Sequence, residues 1–147
     1  MSENDTVSLA ETRAKPILLV SAAVLVDGDN RILLARRPQG KHLGGLWEFP
    51  GGKLQSGETP EDAVIRELKE ELNVHTQAKC LHPLTFASHA YADFHLMMPL
   101  YICRKWSGPA EPLEGQELAW VKPAHLRDYP MPPADAPLIS AIQDQLM

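Results

Sequence analysis

Cysteine is scarce: Cys80 and Cys103 are the only two in 147 residues, too few for the disulfide framework of a small secreted scaffold. The histidines His75, His82, His89, His95 and His125 stand at no zinc-ligand spacing with them. Long apolar runs are also lacking. The stretch ILLVSAAVLV at 17–26 has ten residues, half of the roughly 20 that a membrane-crossing helix needs. Asp27-Gly28-Asp29-Asn30 follows it where a leader peptide would carry a small-residue cleavage site, so it reads as a buried strand. Positive charge is short as well. Fourteen Lys and Arg against 19 Asp and Glu leave a net charge of −5, which argues against nucleic-acid polymers as partners but not against a small anion held by a few local cations or a metal. There is no repeat and no low-complexity tract. What is present, 44% hydrophobic and 22% charged residues, is ordinary for one globular domain without a membrane span. We expect a flexible extension over 1–16, a domain over 17–147, a cytoplasmic location and a monomer.

Along the chain, 17–26 and 31–37 read as strands about a hairpin turn at 27–30. A glycine-bearing loop over 38–46 precedes the short extended piece Trp47-Glu48-Phe49, which Pro50 and Gly51-Gly52 end. Thr59-Pro60-Glu61-Asp62 signals a helix start, and Asn73 can supply the left-handed cap of a helix running to Leu72. Residues 80–91 and 94–104 read as two long strands turning at Ala92-Asp93. A last short strand over 118–121 is followed by helices over 123–128 and 134–146. Strands on both sides of a central helix predict an α/β chain, a mixed sheet flanked by helices.

On a helical wheel of about 100° per residue, Val64, Leu68 and Leu72 form a buried stripe with Ile65 beside it. Glu67, Glu70 and Glu71 occupy an arc directly next to it, where like charges at three- and four-residue spacing repel. Taken alone, such an arc is commonly a solvated acidic face. Upstream, however, Gly51-Gly52-Lys53 offers a backbone that a ligand can approach and a cation for phosphate. Carboxylates that favour Mg²⁺ or Mn²⁺ beside such a lysine describe a site for a di- or triphosphate.

The segment GGKLQSGETPEDAVIRELKEELNV, from its second glycine, resembles the Nudix box G-x5-E-x7-R-E-U-x-E-E-x-G-U. Gly52, Glu58, Arg66, Glu67, Leu68, Glu70, Glu71 and Val74 match. Only Asn73 departs, where the box has Gly, and Asn is the next-best residue for a left-handed backbone. LLARRPQGKHLGGLWEFPGGK, Glu114-Gly115-Gln116 and PMPPADAPLI are similar to the MutT-type branch, so the likeness spans about 17–146.

The resemblance implies the Nudix α/β/α sandwich and Mg²⁺-dependent hydrolysis of a nucleoside triphosphate to monophosphate and pyrophosphate, with Mn²⁺ as a substitute ion. It implies metal ligation by Glu67, Glu70, Glu71, Glu114 and the Gly51 carbonyl. Glu67 is the first choice for the general base and Glu114 the second. Arg66 and Glu58 would orient these carboxylates. Arg37 and Lys53 would meet phosphate oxygens, and His42 sugar or phosphate. Glu48 and Phe49 would meet the base, with core packing an equal reading for the aromatic ring. Asp135 stands where the branch reads oxidised guanine with Asn; the competing reading makes it the N-cap of the last helix. Phe94 replaces an Arg of the branch's best-known member, and Tyr91 lies near where some relatives place a stacking ring. The implied substrate is 8-oxo-dGTP, with a CTP, dCTP or broader nucleotide pyrophosphohydrolase as the alternative. A non-catalytic nucleotide-binding module is the remote one, since this box keeps every glutamate.

Overall fold

The computed structural model describes residues 15–40 and 43–147. Strand β1 (Ile17–Leu25) lies inside a four-stranded mixed sheet. It pairs antiparallel with β4 (Gly51–Lys53) and parallel with β6 (His95–Cys103), and β6 carries the antiparallel edge strand β5 (Leu81–Ala90). A second, antiparallel sheet holds β2 (Ile32–Arg36) between β3 (Trp47–Glu48) and β7 (Glu117–Val121). The helices are α1 (Pro60–Leu72) and α2 (Ile139–Leu146).

Alternation along β1 explains the layering, since successive side chains of a strand point to opposite faces. Ala23 and Leu25 pack in one apolar cluster with Val64, Leu68 and Leu72 of α1. Ala22, Val24 and Val26 pack in another with Ile139, Ile142 and Leu146 of α2. A strand buried on both faces reads as a continuous apolar run, which is why 17–26 looks like one. The result is the expected α/β/α sandwich. Leu68 and Leu72 are fully buried, so truncating either to Ala should cost about 2–5 kcal/mol.

Four expectations need correction. The turn at 27–30 forms, with Asp27 accepting from the Asp29 and Arg31 backbone N–H groups, but it does not build a two-stranded hairpin. Only one bridge, Val26 to Ile32, links the strands, because β1 and β2 part into different sheets. Gly51-Gly52-Lys53 is a strand rather than a terminating turn: at Gly51, opposite Ala22, an added Cβ would run into the Ser21 carbonyl. The segment 123–128 is a 3-10 helix. Residues 136–138 are 3-10 as well, so the final α-helix starts only at Ile139, just past the helix-limiting Pro137. Among the described residues, no helix is long and apolar enough to cross a membrane.

Candidate active site

Helix α1 is capped as its sequence predicts. Thr59 sits in extended backbone and its hydroxyl accepts the Asp62 N–H at 3.1 Å, while Asn73 closes the helix at φ 57°. These caps set the rotation of the helix, which buries Val64, Leu68 and Leu72 and leaves the glutamate arc at the edge of the sheet. Gly52 of β4 lies directly under that arc, and a Cβ there would collide with the Glu67 carboxylate.

Arg66 ties the arc together. Its Nε and Nη2 donate to the two Glu58 carboxylate oxygens at 2.7 and 2.9 Å, a bidentate fork. Its Nη1 donates to Glu67 at 2.9 Å and Glu70 at 3.3 Å, and its Nη2 also donates to the Lys53 carbonyl at 3.0 Å. One guanidinium thus holds three carboxylates and the β4 backbone. The Arg66 hydrogen bonds, helped by the Gln55 N–H, hold the Glu58 carboxyl down at about 2.

Glu71 shows the opposite perturbation. Burial, a hydrogen bond with Glu67 and the nearby charges of Glu67, Glu114 and Glu48 push its carboxyl well above the usual range. Two carboxylates in contact cannot both stay charged without a shared proton or a cation between them. Glu71, Glu114, Glu48, Gly51 and Arg37 line one cleft of about 230 Å³. Gln116 fastens the late loop to it, since its side chain donates to the Glu71 carbonyl at 3.1 Å and accepts the Glu114 N–H at 2.8 Å. Crowded, charge-frustrated oxygen donors suit a hard divalent cation. Among the described residues, no three His, Cys, Asp or Glu side chains converge tightly on one point.

A larger cavity of about 390 Å³ adjoins this cleft. Leu18, Val20 and Ala22 of the even-numbered face of β1 line it together with Arg37, Glu48, Phe49, Lys53 and Asp135. Arg37 Nε donates to Glu48 Oε1 at 2.9 Å. Asp135 is 6% exposed, and its carboxyl is pushed up to about 7 by burial and by Glu48, against the Phe49 N–H and Arg37. It does not cap a helix: the 3-10 turn that it precedes receives no side-chain bond. Its carboxyl instead accepts from the Phe49 backbone and lines the cavity.

Most of the expected residues thus share two adjoining clefts. Glu70 is held by Arg66 at the exposed edge of the arc, and His42 lies outside the described residues. Tyr91, Leu43, Pro132 and Met98 also line the larger cavity. Of these only Tyr91 carried a signal, through its place near the stacking ring of some relatives. His95 bonds the Ser88 hydroxyl at 2.7 Å, and His89 packs edge-on against the Tyr91 ring at 4.7 Å while lining a separate groove.

A family model described as a NUDIX domain matches residues 21–141. The 8-oxo-dGTP diphosphatase of Proteus vulgaris is 39% identical over 92 residues, covering 63% of this chain and 80% of that protein. The CTP pyrophosphohydrolase of Escherichia coli K12 is 35% identical over 121 residues, 81% of this chain and 87% of that one. A solved MutT structure, from work on Aliivibrio salmonicida and Vibrio cholerae, superposes with a TM-score of 0.75 at 30% identity, covering 88% of this chain and 98% of that chain.

Proposed function

This chain belongs to the Nudix hydrolase family, and on that premise we propose that it hydrolyses 8-oxo-dGTP to 8-oxo-dGMP and pyrophosphate, as a cytoplasmic monomer that keeps the oxidised base out of DNA. The observation that carries the base assignment is the buried carboxyl of Asp135 on the wall of an apolar cavity beside the glutamate cleft. The 8-oxo purine has an N7–H donor next to the O6 acceptor, so its reader must accept once and donate once. An ionised Asp only accepts; a protonated one does both. With its carboxyl near 7, Asp135 is protonated in a large share of molecules at neutral pH, and the neutral form serves the oxidised guanine edge as Asn would.

Glu67, Glu70, Glu71, Glu114 and the Gly51 carbonyl are the donors that would hold Mg²⁺, or Mn²⁺ in its place. The ion, when bound, would neutralise phosphate charge and favour departure of the leaving group. Glu67 is the proposed general base and Glu114 the second candidate. The base takes a proton from water as the water oxygen bonds to the β-phosphorus; the bond from that phosphorus to the α–β bridging oxygen breaks, and the nucleoside monophosphate leaves. Arg37 and Lys53 hold phosphate oxygens and His42 meets sugar or phosphate, while Glu48 and Phe49 border the base. Arg66 and Glu58 keep the carboxylates in place.

A second reading, CTP or dCTP as substrate, draws on the ionised form of Asp135. That form accepts from an exocyclic amine such as cytosine N4. Measuring kcat/KM for 8-oxo-dGTP, dGTP, dCTP and CTP side by side, with products separated by chromatography, decides between them. Preference for 8-oxo-dGTP with monophosphate and pyrophosphate as products supports the proposal. Flat or cytidine-favouring turnover refutes it.

A further inference from the structure

We infer that the groove between residues 75–80 and 105–107, past the C-terminal end of α1, is a second anion site that takes the phosphate oxygens of pyrophosphate or of a nucleoside monophosphate. It shares no lining residue with the two clefts described above. The choice of ligand rests on the reaction proposed above; the anion chemistry of the groove does not.

The groove holds about 620 Å³. Its walls are two stretches of chain fastened to each other. His75 and Ser107 exchange both backbone N–H···O bonds at 2.9 Å, and the Thr76 hydroxyl donates to the Lys105 carbonyl at 2.9 Å. The side chains that face a ligand are therefore borne on a fixed backbone, which limits the ordering cost of binding. Trp106 is half-buried, with its ring held nearly parallel to that of Trp120 at 5.9 Å between centroids.

What the groove offers is mostly hydrogen-bond donors. Lys79 and Lys105 stand exposed, one on each stretch. Among the described residues, neither ammonium has an ion-pair or hydrogen-bond partner, nor do the Ser107 hydroxyl, the Gln77 amide and the Trp106 indole N–H. No Asp or Glu lines the groove, although acids outnumber bases in the chain by 19 to 14. The local charge thus opposes the overall charge and favours a small anion. The carbonyls that end α1 nearby would repel one, but they are already engaged. Leu68 accepts from the Val74 N–H at 3.2 Å, Lys69 from Asn73 at 3.1 Å, Glu71 from Leu113 at 3.0 Å and Leu72 from Glu111 at 2.9 Å. Ammonium groups are compact charges that suit phosphate oxygens, and two of them favour a ligand with at least two negative charges. The indole beside them gives a flat surface for the base of a monophosphate.

The test is isothermal titration calorimetry of the full chain with pyrophosphate and with 8-oxo-dGMP, in EDTA so that no divalent ion recruits phosphate to the glutamates. Wild type is compared with Lys79→Ala/Lys105→Ala, Lys79→Arg/Lys105→Arg, Trp106→Leu and Lys53→Ala. Hydrogen bonds to charged groups predict that the double Ala variant weakens pyrophosphate at least about tenfold. The double Arg variant should stay within about threefold of wild type, and Lys53→Ala should leave this affinity unmoved. Both groove lysines are exposed, so their truncation should leave the fold and the initial rate of nucleotide hydrolysis as they are. Binding of 8-oxo-dGMP that both the double Ala variant and Trp106→Leu weaken supports the site with the monophosphate as occupant. Pyrophosphate binding without 8-oxo-dGMP binding there supports it with the inorganic anion. No heat with either anion, or binding that Lys53→Ala abolishes and the double Ala variant keeps, overturns the inference. If the chain hydrolyses no nucleotide, the reaction proposed above fails, while the calorimetry still tests the groove because it measures binding without turnover.

Discussion

Replacing Asp135 by Asn should stabilise the protein at alkaline pH and leave it nearly unchanged in acid. The Asp135 carboxyl lies at about 7, against 3.8 for an unperturbed Asp, because it is buried and faces Glu48. A carboxyl raised on folding binds its proton more tightly in the native state than in the unfolded one. Stability contributed by that proton is complete below about pH 4 and is lost as the pH rises through about 7. A rise of about three units at about 1.4 kcal/mol each sets the loss at no more than about 4 kcal/mol. Asn keeps an acceptor for the Phe49 N–H and carries no charge to desolvate, so the variant escapes this loss. For a chain of this size the difference corresponds to about 10 °C in Tm at pH 8 to 9. The assay is thermal or urea unfolding of both proteins without nucleotide from about pH 4.5 to 9. A constant difference between them across that range, or a variant less stable than wild type at pH 9, would refute the reasoning.

Other outcomes follow from the same geometry. Gly52→Ala should drive a methyl into Glu67 and lower kcat by at least about tenfold, which steady-state kinetics would read, with a far smaller change in KM for nucleotide. Arg66→Gln removes the fork on Glu58 and the contacts to Glu67 and Glu70; we expect a loss of about 10–100-fold in activity or in apparent Mg²⁺ affinity, checked by titrating the metal. Glu58, held at about 2 mainly by Arg66, contributes stability that is present above pH 4.5 and lost toward pH 2. Acid unfolding of Glu58→Gln should accordingly show a shallower pH slope than wild type in that window. Asn73→Ala removes the short polar side chain that lets Asn tolerate φ 57° and should cost about 1 kcal/mol by urea unfolding, with kcat/KM unchanged.

Some parts of this molecule could be read locally and others could not. Helix α1 was legible to the residue because each end is specified by neighbours in sequence, Thr59-Pro60-Asp62 at the start and Asn73 at the finish. The glutamate arc was legible for the same reason, since its register follows from the buried stripe. Strand β4 was not. A Gly-Gly pair has no side-chain pattern, and only its pairing with β1 makes it a strand. The β1–β2 turn chemistry was correct but silent about the sheet each strand would join. Similarity to the MutT-type segment singled out Asp135, while local sequence offered an N-cap; its burial and its bond from Phe49 come from residues far away in the chain. The pairing of the Tyr91 and Phe94 rings likewise exists only once β5 and β6 come together.

The most direct test of the account is the ratio of kcat/KM for 8-oxo-dGTP to that for dCTP, measured at about pH 6 and about pH 8.5 in wild type and Asp135→Asn. The ratio cancels the hydrolytic step that both nucleotides share and isolates the reading of the base. The account predicts a ratio above one that falls as the pH rises through about 7 in wild type and stays flat in the variant. A ratio below one at both values, or the same pH dependence in both proteins, would contradict it.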